Sequence, residues 1–170
     1  MDVFVQPERL YPQGNLAAHV LGAAGRGSFA EEAAAEDYHF FLPGMKGRGG
    51  VEQEYDDRLC GLPGGQLIRV DAAGFRHDEW TARQPVPGHD LTLTIDADIQ
   101  STLESALAGV CGAGVVLDPR NGEILAMASA PTFDPNTLSP KPTIEVWRAL
   151  LGNPDRPLLN RALVGCYPPG

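Results

Sequence analysis

The chain has 170 residues, with 13 Lys plus Arg against 22 Asp plus Glu, for a formal net charge of -9. At ~100–200 residues per domain, that length holds one ordinary domain or two small ones. Hydrophobic residues make up 43%, which excludes a fully disordered acidic protein. The basic residues are 11 Arg, Lys46 and Lys141, scattered along the chain, which excludes a phosphate-neutralising nucleic-acid surface. No apolar run reaches the ~18–20 residues of a membrane span. No basic stretch followed by an apolar one opens the chain, so no signal peptide is expected. With 20 Gly and 15 Pro, many turns and short elements are expected.

In chain order, an alternating V-F-V opens at residue 3, and Tyr11, Pro12, Gln13 and Gly14 form a turn. Asn15 is placed to cap a short helix carrying Leu16, Ala17, His19 and Val20, stopped by Gly22. Residues 23–37 are rich in Ala and Glu without an apolar stripe, and Phe40, Phe41 and Leu42 make an apolar knot. After the glycine-dense residues 44–50, Val51, Tyr55 and Leu59 predict one helix over 51–59, ending at Gly61. Leu67, Ile68 and Val70, a turn at Ala73 and Gly74, and residues 75–80 predict a hairpin. The rigid stretch Gln84 to Gly88 is the best internal boundary.

Beyond it, Leu91, Leu93 and Ile95 alternate with polar residues, as in a strand. Asp96 is a good N-cap, and Ile99, Leu103, Ala106, Leu107 and Val110 share one helix face, ended by Gly109 and Gly112. Residues 115–117 are expected to pair with 124–127 across a turn at Asp118 to Gly122. Residues 131–140 read as a loop, and Ile144, Trp147, Leu150 and Leu151 as a helix ending at Gly152. The fold class is therefore α+β. From residue 90 onward, one helix on three strands leaves a sheet face uncovered, so an exposed apolar patch is expected there.

The residues alone assemble no catalytic centre. There is no phosphate-cradling glycine loop and no H-E-x-x-H, and His19, His39, His77 and His89 stand far apart. His77, Asp78 and Glu79 form an acidic cluster on a strand, weak as a metal site. Glu52, Glu54, Asp56 and Asp57 fall on one helix, where a solvated face or an ion pair is the expected use. Ser28, Ser101, Ser105, Ser129 and Ser139 lie outside any G-x-S-x-G, and none precedes a lysine by three residues. Cys60, Cys111 and Cys166 are isolated and are expected to be packed or inert thiols. Catalytic, cofactor and metal residues are accordingly expected to be none.

Several motifs in order then point to a family. RLYPQGNLAAHVLG at residues 9–22 and GRGGVEQEYDDRLCG at residues 47–61 resemble signatures of the non-catalytic pedestal of class B penicillin-binding proteins. LTLTID at 91–96 followed by Gln100, VVLDPRNGEILAM at 115–127 and FDPN at 133–136 resemble the opening of their transpeptidase domain. NRA at 160–162 with GCYPPG at 165–170 resembles the run-up to the active site, in the form found in elongation-type members.

The resemblance implies a pedestal, or dimerisation-type domain, over residues 1–88 and the N-terminal edge of a serine transpeptidase (β-lactamase-like) domain over 89–170. It implies that the nucleophilic serine of S-x-x-K follows Gly170, and that a membrane anchor and a first pedestal motif precede Met1. The chain then reads as an internal piece of a longer enzyme, itself unable to react with penicillin. Peptidoglycan stem peptides and β-lactams would be partners of the complete protein only. Cell-wall elongation proteins would bind through the pedestal, at the extracytoplasmic face of the membrane, and no cofactor or nucleic acid is implied. The alternative is a pedestal that binds partners without chemistry; a third reading is an unrelated small α+β domain. On the resemblance, Arg9 and Glu52 are expected to pair with Tyr11 and Tyr55 beside them. Gly14 and Gly47 would supply turns, His19 would be a hydrogen-bonded structural histidine, and Tyr167 to Gly170 would set the entry of the catalytic helix.

Overall fold

The computed structural model describes residues 8–27, 44–73, 75–139 and 141–166. The expected V-F-V stretch, the knot at Phe40 to Leu42 and the Tyr167 to Gly170 run-up lie outside them. The described elements run α1 (Ala18–Leu21), β1 (Ala24–Arg26), β2 (Met45–Gly47), α2 (Gly50–Glu54), α3 (Asp56–Leu59), β3 (Gly65–Val70), β4 (Arg76–Arg83), α4 (Ala97–Ala106), β5 (Gly112–Leu117), β6 (Ile124–Ala130), a 3-10 turn (Pro135–Thr137), α5 (Ile144–Gly152) and α6 (Arg161–Val164). The mixed content is the expected α+β class. Among the described residues the strands form three antiparallel pairs, β1 with β2, β3 with β4 and β5 with β6.

The N-terminal part folds around turns and close backbone approaches. Gly14 takes φ 61 and its N–H donates to Tyr11 O at 3.0 Å, the turn expected from sequence. Asn15 does not cap α1. The cap position falls to Ala17, in the left-handed region at φ 54, with no side-chain cap bond. The helix expected over 51–59 is two short helices broken at Tyr55. Apolar spacing could not show that break. β1 pairs with β2 in register Ala24 with Gly47, a pairing that the non-alternating sequence Ala24, Gly25, Arg26 does not announce.

The C-terminal part is built on the β5–β6 hairpin, in register Val115 with Met127. Its turn is tied by Asp118 N–H to Glu123 O at 2.9 Å and Gly122 N–H to Asp118 O at 2.8 Å. α4 lies against β6. Asp96 caps it as expected, its carboxylate accepting from the N–H groups of Asp98 and Ile99, a bond worth ~1 kcal/mol. The strand expected at 91–95 does not form a ladder. That segment is irregular, with a bend at Thr94, and alternates in exposure; it meets β6 at its end, where Asp96 N–H donates to Leu125 O and the Thr94 hydroxyl to Ile124 O.

Gln100 takes the missing strand's place. Fully buried, it donates from Nε2 to Met127 O at 2.9 Å and accepts at Oε1 from Met127 N–H at 2.8 Å. A side-chain amide thus pairs with a strand residue as a neighbouring backbone would. Gln100→Leu keeps the volume but strands both Met127 groups. It is expected to lose about 2 kcal/mol or more in urea unfolding; a loss within the scatter of neutral surface substitutions would contradict this assignment.

Buried apolar side chains are small, with Ala17, Ala18, Ala23, Ala24, Ala126 and Ala128 joined by Tyr11. They gather where the N-terminal part meets β6. Large apolar groups lie outside this core. Val115 and Leu117 face solvent from one side of β5, and Ile144, Trp147 and Leu151 from α5. Exposed large apolar side chains are thus present in the C-terminal part.

Candidate functional site

The first signature motif converges on one carboxylate. Glu52 sits in the first turn of α2 and is 9% exposed. Arg9 grips it with two bonds, Nε to Oε1 at 2.6 Å and Nη2 to Oε2 at 2.9 Å, the fork geometry that suits guanidinium and carboxylate. The Tyr11 hydroxyl donates to Oε1 at 3.4 Å and accepts from Ala24 N–H at 2.9 Å, which ties β1 to the pair. Burial, reinforced by the nearby Glu52 charge, pushes the Tyr11 phenol up to about 12. The Arg9–Glu52 pair and the place of Tyr11 are as expected.

Tyr55 and Gly47 belong to the same motif. Tyr55 stands at the break between α2 and α3 and is 37% exposed. Gly47 does not supply a positive-φ turn. It lies in β2, where an added Cβ would sit 2.0 Å from Glu52 O, so it is the close approach of β2 to α2 that requires glycine. Its N–H donates to Asp56 Oδ1 at 2.8 Å.

From this pair a polar seam runs to the C-terminal part. The Asn136 side chain forms a two-point link with the Tyr11 backbone: Tyr11 N–H donates to Oδ1 and Nδ2 donates to Tyr11 O, each at 2.9 Å. The Ser139 hydroxyl reaches Arg9 O at 3.4 Å. Ala17 N–H donates to Glu104 Oε1 at 2.8 Å, and Gln100 Nε2 donates to the same oxygen at 2.8 Å. That capture holds Ala17 in a backbone region that costs a non-glycine residue ~1–3 kcal/mol.

His19 closes the seam. Its Nε2–H donates to Pro157 O at 2.8 Å, its ring meets Phe133 edge-on at 5.1 Å, and its own carbonyl accepts from Asn160 Nδ2 at 3.2 Å. It is the hydrogen-bonded structural histidine expected. Burial holds its imidazole below the ordinary value of 6.5, outweighing the opposing Pro157 bond and Glu104 charge. The unfolded chain therefore takes up a proton that the folded one resists, and stability is lost as pH falls below about 6.5 toward the folded value. His19→Gln is expected to flatten the slope of unfolding free energy between pH 7 and 5; an unchanged slope would exclude His19 as its source.

Chemically the site is a set of positioning contacts. The Ser129 hydroxyl donates to Leu159 O and accepts from Arg161 N–H. Ser101, Ser105, Ser129, Glu104 and Cys111 line an open groove of about 690 Å³, with neither lysine in its wall. His77 bonds Asp71 and Asp78 pairs with Arg69. Among the described residues no group of three or more His, Cys, Asp and Glu is placed to hold a metal. The three thiols are exposed rather than packed. Partial burial of the sulfur and a bond to Asp56 push the Cys60 thiol up to about 11, which keeps it protonated near neutral pH. Sequence reasoning placed Gln100, Asn136 and Asn160 in family motifs without giving them work, and it missed Glu104. For Asn160 the local signal was an N-cap type before Arg161.

Comparison with known proteins gives two matches in order. Residues 1–93 match the penicillin-binding protein dimerisation domain, and residues 112–170 match the penicillin-binding protein transpeptidase domain. The chain is 39% identical over 165 residues to the peptidoglycan D,D-transpeptidase MrdA of Acinetobacter baumannii, covering 97% of this chain and 25% of that protein. To MrdA of Escherichia coli K12 it is 35% identical, covering 95% of this chain and 26% of the other. The chain thus spans about a quarter of the length of these curated relatives. A crystal structure of PBP2 from Pseudomonas aeruginosa in complex with WCK 5153 superposes with a TM-score of 0.76 at 34% identity, covering 99% of this chain and 34% of that one. A complex between PBP2 and MreC from Helicobacter pylori superposes with a TM-score of 0.72 at 30% identity, covering 91% of this chain and 29% of that one.

Proposed function

The chain belongs to the penicillin-binding proteins, and from that premise we propose that it serves a peptidoglycan D,D-transpeptidase of the elongation type, as its pedestal and the start of its catalytic domain. The observation that carries this reading is the order of the two family matches within a chain that aligns along 97% of its length with such an enzyme. Residues 1–88 act as the pedestal and 89–170 as the entry to the catalytic domain. The complete protein acts outside the cytoplasm on a membrane anchor. Among the described residues no helix is long and apolar enough to cross a membrane.

In the complete enzyme, a serine following Gly170 attacks the penultimate D-Ala carbonyl of a stem peptide and forms an acyl-enzyme. The peptide bond to the terminal D-Ala breaks, and that residue leaves as the free amine. An amine of a second stem peptide then takes the acyl group and restores the serine. A lysine one helical turn after the serine accepts its proton, and backbone N–H groups stabilise the oxyanion. This chain contributes position rather than reacting groups. Its seam fixes the platform from which the catalytic helix starts.

A second reading adds to the first: the pedestal also binds another component of the elongation machinery. The complex of a similar protein with MreC favours it. The test is depletion of the complete protein in its own cells, with cross-linked muropeptides measured alongside cell shape. Loss of side-wall elongation with fewer cross-links is expected. Filaments with blocked septa would assign the protein to division instead, and unchanged cross-linking would refute the transpeptidase.

A further inference from the structure

α6 is a single turn of helix, too short to hold its own conformation or direction, so its surroundings must set both. Three groups do so. Ser129, on β6 and only 4% exposed, bonds Leu159 O and Arg161 N–H with one hydroxyl. Arg161 clasps the loop before it, bonding Asp155 O and Arg156 O. Asn160 uses both ends of its amide. Its Oδ1 caps α6, accepting from Ala162 and Leu163 N–H at 3.1 and 3.3 Å, while its Nδ2 crosses to His19 O within α1. His19 returns the contact by donating to Pro157 O, three residues before Asn160.

Capping alone does not need an amide, because serine and aspartate cap about as well as asparagine. The amide N–H adds the crossing to α1. We propose that Asn160 is a positioning residue for acylation: it ties α1 to α6, so the N-terminal part sets the approach of the chain that leads to the nucleophile. This rests on the transpeptidase reading. An acyl transfer needs its reacting atoms in near-attack geometry, and a displacement of ~1 Å can cost about a hundredfold in rate. A one-turn helix released from α1 would permit such a displacement without unfolding the domain.

The test uses the complete protein and a fluorescent penicillin, with Asn160→Asp and Asn160→Ser as variants. Both keep the cap. Aspartate has no N–H to offer His19 O, and serine is too short to reach it. Rapid-mixing kinetics separate the acylation rate constant from the dissociation constant of the initial complex, and titration to completion gives the fraction of active molecules. The expected result is an acylation rate constant lower by roughly tenfold or more in both variants, with the dissociation constant and the active fraction unchanged. A merely structural role would lower the active fraction and leave the rate per active molecule as it was. That outcome, or a wild-type rate in Asn160→Ser, overturns the inference while the transpeptidase reading stands. A wild-type complete protein that takes no label overturns both.

Discussion

Gly22→Ala is expected to be the most damaging single substitution in the N-terminal part, removing about 4 kcal/mol or more of stability. Two separate physical costs meet at this residue. Gly22 takes φ 78 and ψ -155, a region essentially reserved for glycine. An added Cβ would also lie 1.8 Å from Gly49 O and 2.3 Å from Gly49 C, so backbone rather than a yielding side chain blocks it. Gly50 faces it from the other side at φ 56, where a Cβ would come within 2.4 Å of Val20 O. The end of α1 and the start of α2 therefore touch backbone to backbone. Chemical denaturation of the 170-residue chain measures the effect. An alanine variant within ~1 kcal/mol of the parent would show that these two segments do not approach as described.

Glu52→Ala is the second large effect, about 3 kcal/mol. Removing one partner of a buried, bidentate pair leaves the other charge stranded, and that loss typically falls at ~3–5 kcal/mol. The lower end applies because the Arg9 side chain is 39% exposed and water can reclaim part of it. The Tyr11 hydroxyl loses an acceptor as well. Arg9→Ala is expected to cost less, and the double variant less than the sum of the two singles. Exact additivity would mean that the pair contributes nothing through its contact. Alkaline pH gives an independent readout of the same cluster. The Tyr11 phenol is pushed from 10.0 to about 12 in the folded chain. Its contribution is therefore complete below pH 10 and is lost as pH rises toward 12, and Tyr11→Phe should remove that loss.

What the sequence made legible follows from how local each determinant is. The Asp96 cap, the Gly14 turn and the β5–β6 hairpin depend on residues a few positions apart, and each was readable from capping and turn chemistry. The Arg9–Glu52 pair spans 43 positions, and no spacing rule reaches it; it came from the resemblance of two motifs to one family. The expected strand at 91–95 failed because alternation records which side chains face inward, not whether a neighbour offers a free edge. That edge at Met127 is occupied by the Gln100 amide. Gly47 was placed in the right motif but given the wrong work, since backbone proximity is a property of the assembled chain. The seam through Asn136, Glu104 and Asn160 joins positions more than 80 apart, so the motifs could mark Asn136 and Asn160 but not their partners, and Glu104 looks like an ordinary surface carboxylate in the sequence.

The central claim is that this chain supplies the platform of a serine transpeptidase while holding none of its reacting groups. Mass mapping of a penicillin adduct tests it most directly. The complete protein is labelled and digested, and the modified residue is located; the 170-residue chain is treated in parallel. The account predicts an adduct on the serine directly after Gly170 and an unlabelled 170-residue chain. A penicilloyl group on any residue of this chain, Ser129 or Cys60 included, would contradict it.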